Sequence, residues 1–180
     1  MNSLTLSVFF ALVAAASDRQ PSADRCLRPD VRVRTWTLAR SPRLPDFRLR
    51  VPPGFIRDRG EDTYPDPQPT GSRWADTVNA QLVVHWVKTD KDHLLLGALP
   101  ASTGRPEYSK CVENIDSAIV EIVSYNRVDQ VGEGYAGPYQ IHARLRWPDG
   151  TLVECYGMTS DHRRYLEILA AVRTLRRIKS

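Results

Sequence analysis

The sequence predicts an α+β fold, a mostly antiparallel sheet of about six strands packed by a C-terminal helix. Two patterns carry this prediction. Apolar and polar residues alternate from Tyr139 to Trp147, and the chain returns after a Pro-Asp-Gly turn, as in a β-hairpin with one buried face. Apolar residues then recur at helical spacing as far as Leu175, which indicates an amphipathic helix.

The turn Pro148–Gly150 fixes the register of this hairpin. A three-residue loop with glycine in its left-handed position places Trp147 opposite Thr151. The pairs that follow are Leu145–Val153, Ala143–Cys155 and Ile141–Gly157 on the apolar face, and Arg144–Glu154 and His142–Tyr156 on a face that we expect to be exposed. The register therefore puts Cys155 on the apolar side of the hairpin.

The C-terminal helix has a predicted start and a predicted buried stripe. Ser160 is placed to cap it, and Asp161 lies favourably near the positive end of the helix dipole. The stripe consists of Tyr165, Ile168, Leu169, Val172 and Leu175. We expect this stripe to lie on the apolar face of the hairpin, because each surface needs an apolar partner.

The remaining elements are shorter. The predicted strands are Val31–Leu38, Phe47–Val51, Ala80–Lys88, a short apolar piece at Leu94–Leu99, and a central strand at Ala118–Tyr125, with a short helix at Pro106–Asn114. Two loops without periodicity, residues 57–73 and 129–137, are the places where a site is expected, since long loops in compact domains are functional or disordered. Together these elements predict one domain over residues 31–180.

The N-terminal segment resembles a secretory signal. Residues from Leu4 to Ala16 are apolar or small, and a polar sequence begins at Asp18. We therefore expect a signal peptide over residues 1–17, a flexible leader over 18–30, and export to the periplasm or outside the cell. A buried N-terminal helix is the alternative. There is no run of about 20 apolar residues, so we expect no transmembrane segment in the mature chain.

Three cysteines in an exported chain suggest one disulfide and one remaining thiol. We expect Cys111 to pair with Cys155, because Cys155 faces the core and Cys111 shortly precedes a core strand. Cys26 lies in the leader, and the sequence leaves it open as the partner of either.

No motif in the chain nominates a catalytic residue, a metal site or a cofactor. The glycines at 132, 134 and 137 precede a strand, and a phosphate loop would need a helix there. The four histidines are dispersed, and no Gly-x-Ser-x-Gly sequence is present. The sequence therefore favours a protein that is not an enzyme and that uses no cofactor.

Arginine is concentrated near the N-terminal end of the predicted domain. Residues 18–60 hold 11 arginines against 5 aspartates, so this part of the chain is basic. The candidates for a shared sheet face are Arg32, Arg34, Arg48 and Arg50, which alternate on two predicted strands. Such a face suits anionic lipid head groups, polysaccharide or an acidic protein. Nucleic acid is not expected, since no aromatic-interleaved recognition motif is present.

The segment Phe47–Phe55, with its Pro-Pro-Gly turn, is similar to the early strand of the PsbP-like family. The Pro-Asp-Gly hairpin and a closing helix that ends in Val172–Leu175 also resemble that family. The family includes extrinsic photosystem proteins and small exported bacterial proteins. The resemblance implies a central antiparallel sheet flanked by helices, without enzymatic activity, and it carries no functional residue.

Three functional hypotheses follow from the sequence. The first is an exported, non-enzymatic domain that binds a protein or a cell-envelope component. The second is a secreted or periplasmic hydrolase with a site formed by the loops 57–73 and 129–137. The third is a binder of anionic surfaces that uses Arg32, Arg34, Arg48 and Arg50.

Overall fold

The computed structural model describes residues 27–41, 44–58, 71–77, 80–87, 109–126 and 139–178. In these ranges the strands are β1 Thr37–Ser41, β2 Leu44–Val51, β3 Ile56–Arg57, β4 Gly71–Ala75, β5 Gln81–Val87, β6 Ser109–Ile115, β7 Ala118–Asn126, β8 Tyr139–Arg146, β9 Leu152–Thr159 and β10 Arg176–Arg177. The one α-helix of the described residues, α1, spans His162–Val172.

The strands form two antiparallel sheets. The larger sheet has seven strands in the order β3-β4-β5-β9-β8-β7-β6, and the smaller has three in the order β1-β2-β10. The described part of the chain is thus mostly β, with ten strands and one short helix. The predicted α+β class with about six strands is wrong, because strands as short as β3 and β10 show no periodicity in the sequence.

The register of the β8–β9 hairpin is confirmed. Ala143 lies opposite Cys155 and Arg144 lies opposite Glu154. The backbone N–H of Trp147 donates to the carbonyl of Thr151 at 2.9 Å, and Gly150 has a φ of +85°. This left-handed conformation is the one that the glycine of a three-residue loop supplies without steric cost. The hairpin forms the middle of the seven-stranded sheet, with β9 as its central strand.

Helix α1 and the small sheet cover one face of the large sheet. Gly157 of β9 lies directly beneath Ile168 of α1, so the helix contacts the face that also carries Cys155. From β2, the ring of Phe47 lies 5.9 Å from Trp86 and 5.3 Å from Trp147. The core of the domain therefore lies between the large sheet and this mixed layer.

The predicted stripe of α1 is buried, but its predicted cap is wrong. Tyr165, Ile168, Leu169, Val172 and Leu175 are all buried, as expected. The residue that caps the helix is Asp161, whose side chain accepts a hydrogen bond from the backbone N–H of Arg164 at 2.9 Å. Ser160 lies one residue too early to cap it.

The second face of the hairpin is partly buried, contrary to the prediction. Glu154 is 0% exposed and His142 is 7% exposed, although polar residues on an alternating strand were expected to meet solvent. The Nε of Arg144 lies 2.9 Å from Oε1 of Glu154, so the buried carboxylate has a cationic partner. Alternation correctly separates the two faces, but it does not show which of them is covered.

Two further element predictions are wrong. Val31–Leu38 is not a strand; it contains a 3₁₀ turn at Val33–Thr35, and β1 begins at Thr37. The predicted helix at Pro106–Asn114 overlaps β6, which pairs with β7 across a two-residue turn at Asp116–Ser117. Both turn residues have positive φ, the conformation that matches the twist of paired strands.

The strands predicted at Phe47–Val51, Ala80–Lys88 and Ala118–Tyr125 are confirmed as β2, β5 and β7. Five other predictions lie wholly or largely outside the described residues. These are the signal peptide, the leader as far as residue 26, the apolar piece at Leu94–Leu99, the loop 129–137, and residues 59–70 of the loop 57–73.

Candidate functional site

The outer face of the small sheet carries a row of arginines. Arg40 of β1 lies opposite Arg48 of β2, and Arg48 lies opposite Arg176 of β10. Residues directly opposite in a ladder point to the same side of a sheet, so the three side chains leave one face in a line. Beside this row, Leu38 lies opposite Arg50. We call this surface, made of Leu38, Arg40, Asp46, Arg48, Arg50 and Arg176, the arginine face.

The positive charge of the arginine face is largely uncompensated. Arg40 and Arg48 are exposed, and neither forms an ion pair with any described residue. Like charges directly opposite each other destabilise a sheet, so this row has an energetic cost to the fold. Asp46, two residues before Arg48 on the same side of β2, is the acidic member. Four arginines and one aspartate leave a net charge of +3.

Two members of the arginine face are held by carbonyl groups. The Nη1 of Arg50 donates to the carbonyl of Arg34 at 3.1 Å and to that of Trp36 at 2.9 Å. The Nη1 of Arg176 donates to the carbonyls of Arg173 and Leu175, both at 2.7 Å. Carbonyl acceptors orient a guanidinium without cancelling its charge, and its remaining N–H groups can still bind an anion.

Arg177, the neighbour of Arg176, has a different role. Its guanidinium donates to the carboxylate of Asp149 in the hairpin turn. The hydrogen bond from Arg177, helped by bonds from Thr151, lowers the pKa of Asp149 to about 2. Because this pair neutralises Arg177, the residue ties the small sheet to the hairpin and does not belong to the arginine face.

This pair makes a testable prediction about pH. Since the folded-state pKa of Asp149 is lowered from its usual 3.8 to about 2, the stability it contributes is present above pH 3.8 and is lost as the pH falls towards 2. NMR titration of the side-chain carboxyl should show a midpoint near pH 2, and Arg177→Gln should move that midpoint up towards 3.8. A wild-type midpoint near 3.8 would contradict the pairing.

The sequence identified only part of this surface. Arg48 and Arg50 lie on the arginine face, whereas Arg32 and Arg34 lie at the 3₁₀ turn and on no strand. The sequence did not identify Arg40, because Leu38 and Arg40 share one side of β1 and show no regular alternation of apolar and polar residues. No local signal marks Arg176, because its strand is two residues long and pairs with a distant part of the chain.

The predicted disulfide between Cys111 and Cys155 is wrong. Cys155 is a free, buried thiol. Cys111, Ile122, Ala143 and Cys155 occupy one row across four neighbouring strands, so three strand spacings, about 14 Å, separate the cysteines. A disulfide needs Cα atoms within about 7 Å. Burial, and then the charge of Glu154, raise the pKa of the Cys155 thiol well above its usual range.

A cleft of about 520 Å³ lies between the segment that precedes β1 and the first turns of α1. It is lined by Asp30, Val31, Arg32, Thr35, Trp36, Pro53, His162, Arg163, Leu166 and Glu167. The carboxylate of Glu167 is held by Arg164 at 2.6 Å and by Arg163 at 3.3 Å. Arg164 also lies 2.9 Å from Asp76, so these groups fix the helix to its surroundings.

Comparison with models of known protein families found no match, and comparison with curated proteins also found none. Within the described ranges, no helix has the length and apolar character needed to cross a membrane. The same residues contain no group of three or more histidine, cysteine, aspartate or glutamate side chains placed to hold a metal ion.

Proposed function

We propose that the protein is an exported, non-enzymatic domain that docks on anionic phospholipid surfaces through its arginine face. The observation that carries this proposal is the row Arg40–Arg48–Arg176, in which Arg40 and Arg48 are exposed, Arg176 is half-buried, and none has a carboxylate partner among the described residues. Keeping like charges opposite each other costs stability, and an anionic partner relieves that repulsion. Export is expected from the signal-like sequence of residues 1–17.

The shape of the arginine face favours a lipid surface over a single chain of anionic polymer. The side chains form a two-dimensional array, with three arginines along one row and Arg50 in the next. Strands lie about 4.8 Å apart, so the row spans about 10 Å across the three strands. Leu38, beside Arg50, is 48% exposed and offers an apolar contact for the boundary between head groups and acyl chains. Guanidinium groups bind phosphate through paired N–H donors.

The expected affinity is that of a reversible peripheral protein. Each arginine near an anionic membrane contributes about 1 kcal/mol, and Asp46 offsets one of the four. A net gain of about 3 kcal/mol corresponds to a preference of roughly a hundredfold for anionic over neutral vesicles. The Debye length, over which salt screens exposed charges, is about 10 Å at 0.1 M and becomes shorter at higher salt. Binding should therefore weaken steeply as the ionic strength rises.

The test measures co-sedimentation with vesicles of phosphatidylcholine alone and of phosphatidylcholine mixed with phosphatidylglycerol. We expect the wild-type chain to bind the mixed vesicles, and we expect the triple variant Arg40→Gln, Arg48→Gln, Arg176→Gln to lose at least about tenfold in affinity. Equal binding of the wild-type chain to neutral vesicles, or no binding to either, would refute the proposal.

A matched control distinguishes binding through the arginine face from binding that depends only on the total charge of the protein. The variant Arg32→Gln, Arg146→Gln, Arg163→Gln removes the same three charges from exposed positions elsewhere. It should keep the wild-type affinity within about twofold. If both triple variants lose affinity equally, the binding is unspecific. If the wild-type chain binds soluble polyphosphate but not vesicles, the partner is a polymer and the lipid proposal fails.

A further inference from the structure

The segment that precedes β1 lies beside the edge strand of the large sheet. The Nη2 of Arg28 is 3.6 Å from Oε2 of Glu113 on β6. Glu113 and Cys111 are two residues apart on this strand, so their side chains point to the same side. In the sequence, Cys26 precedes Arg28 by the same two residues, and two residues of chain reach at most about 7 Å. The contact therefore places Arg28, two residues after Cys26 in the sequence, against the side of β6 that carries Cys111.

We propose that Cys26 and Cys111 form a disulfide that straps residues 27–36 to the edge of the large sheet. Of the two cysteines that the structure describes, Cys155 is the free one. Cys155 is 1% exposed and lies three strands from Cys111, so it cannot compete for the bond without unfolding of the core. Cys26 is the remaining cysteine in the chain.

Residues 27–36, which this disulfide would attach to the large sheet, form one wall of the cleft beside α1. Asp30, Val31, Arg32, Thr35 and Trp36 form that wall. Its C-terminal end is fixed, because Trp36 is buried and its carbonyl accepts from Arg50. Its N-terminal end has the ion pair Arg28–Glu113, whose arginine side chain is 81% exposed, and a pair that exposed contributes little. The disulfide supplies the firm attachment at this end, so the redox state controls how tightly the wall is held.

Formation of the bond is a two-electron oxidation. The thiolate of one cysteine attacks a disulfide of an oxidising protein to give a mixed disulfide, and the second thiolate then displaces the oxidant. The two cysteines lose two protons and two electrons, and the oxidant leaves as a dithiol. Such bonds persist in the oxidising compartments to which secreted proteins are sent. This inference does not depend on the arginine face.

Peptide mapping without reduction tests the bond directly. Trypsin places the three cysteines in separate peptides, residues 26–32, 111–127 and 147–163, because the Arg28–Pro29 bond resists cleavage. On the full-length chain purified from an oxidising compartment and alkylated before digestion, we expect 26–32 linked to 111–127, with 147–163 unlinked. A link between 111–127 and 147–163, or a chain with three free thiols, would overturn the proposal.

Limited proteolysis tests the strap. Cleavage after Arg32 and Arg34 should accelerate at least about tenfold when the bond is reduced or when Cys111→Ser removes it, since local opening controls such cleavage. Cys155→Ser, with the bond intact, should cleave at the wild-type rate. If cleavage is equally fast with and without the bond, the disulfide does not restrain residues 27–36. The proposed role of the bond is then refuted, even where peptide mapping finds the bond itself. Neither result bears on vesicle binding.

Discussion

Replacing Arg144 with methionine should lower the free energy of unfolding by about 3 kcal/mol, measured by urea denaturation. Glu154, whose carboxylate accepts from Nε of Arg144 at 2.9 Å, is 0% exposed on the central strand. Removing the guanidinium leaves a negative charge in a region that water does not reach, and such a charge is costly. Methionine keeps much of the apolar stem, so the loss reports mainly on the charge.

Two controls identify the source of this loss. Adding Glu154→Gln to Arg144→Met removes both charges and should recover a large part of the lost stability. Lys110→Met breaks an ion pair with Glu121 in the same sheet, at 2.7 Å, but its side chain is 52% exposed. That change should cost less than about 1 kcal/mol. Equal losses for Arg144→Met and Lys110→Met would mean that burial of Glu154 does not govern the effect.

Gly157→Ala should also destabilise the fold, by about 1–3 kcal/mol. A methyl group added at Gly157 would lie 2.4 Å from Cγ2 of Ile168, which is far inside van der Waals contact. Neither side can yield easily, because Gly157 lies on the central strand and Ile168 is fully buried in α1. The substitution therefore pushes the helix away from the sheet, and the midpoint of urea unfolding should fall accordingly.

A double-mutant cycle shows whether this contact is the cause. Ile168→Ala alone opens a cavity and should cost about 2–5 kcal/mol. Combined with Gly157→Ala, the new methyl group enters part of that cavity, so the double variant should be at least about 1 kcal/mol more stable than the sum of the single losses predicts. Simple additivity would contradict the direct contact between these two positions.

The sequence predicts correctly those elements whose structure depends on residues close together in the chain. The Pro148–Gly150 turn was sufficient to fix the register of the hairpin, which the structure confirms pair by pair. The buried stripe of α1 was also predicted, because a helix of three turns has a period that can be counted. These elements involve residues that are close together in the chain.

What could not be predicted depends on contacts between distant parts of the chain. The Asp116–Ser117 turn lacks the glycine that usually marks a two-residue hairpin, so the sequence predicts a helix where β6 lies. The distance between Cys111 and Cys155 depends on the order of four strands, and hairpin patterns do not reveal that order. For the same reason, the sequence predicts only two of the four arginines of the arginine face, Arg48 and Arg50. Its third strand is a two-residue segment after α1 that joins β2.

Fluorescent labelling at single positions shows most directly which surface of the domain touches the membrane. Leu38→Cys and Ile119→Cys place a thiol at two comparably exposed positions, 48% and 58%, on opposite faces of the domain. In a background with Cys26→Ser and Cys111→Ser, an environment-sensitive fluorophore should label only the introduced thiol, because Cys155 is buried in the core. With anionic vesicles, the emission from position 38 should shift to the blue and the emission from position 119 should stay unchanged. Equal shifts at both positions, or a shift at 119 alone, would contradict docking through the arginine face.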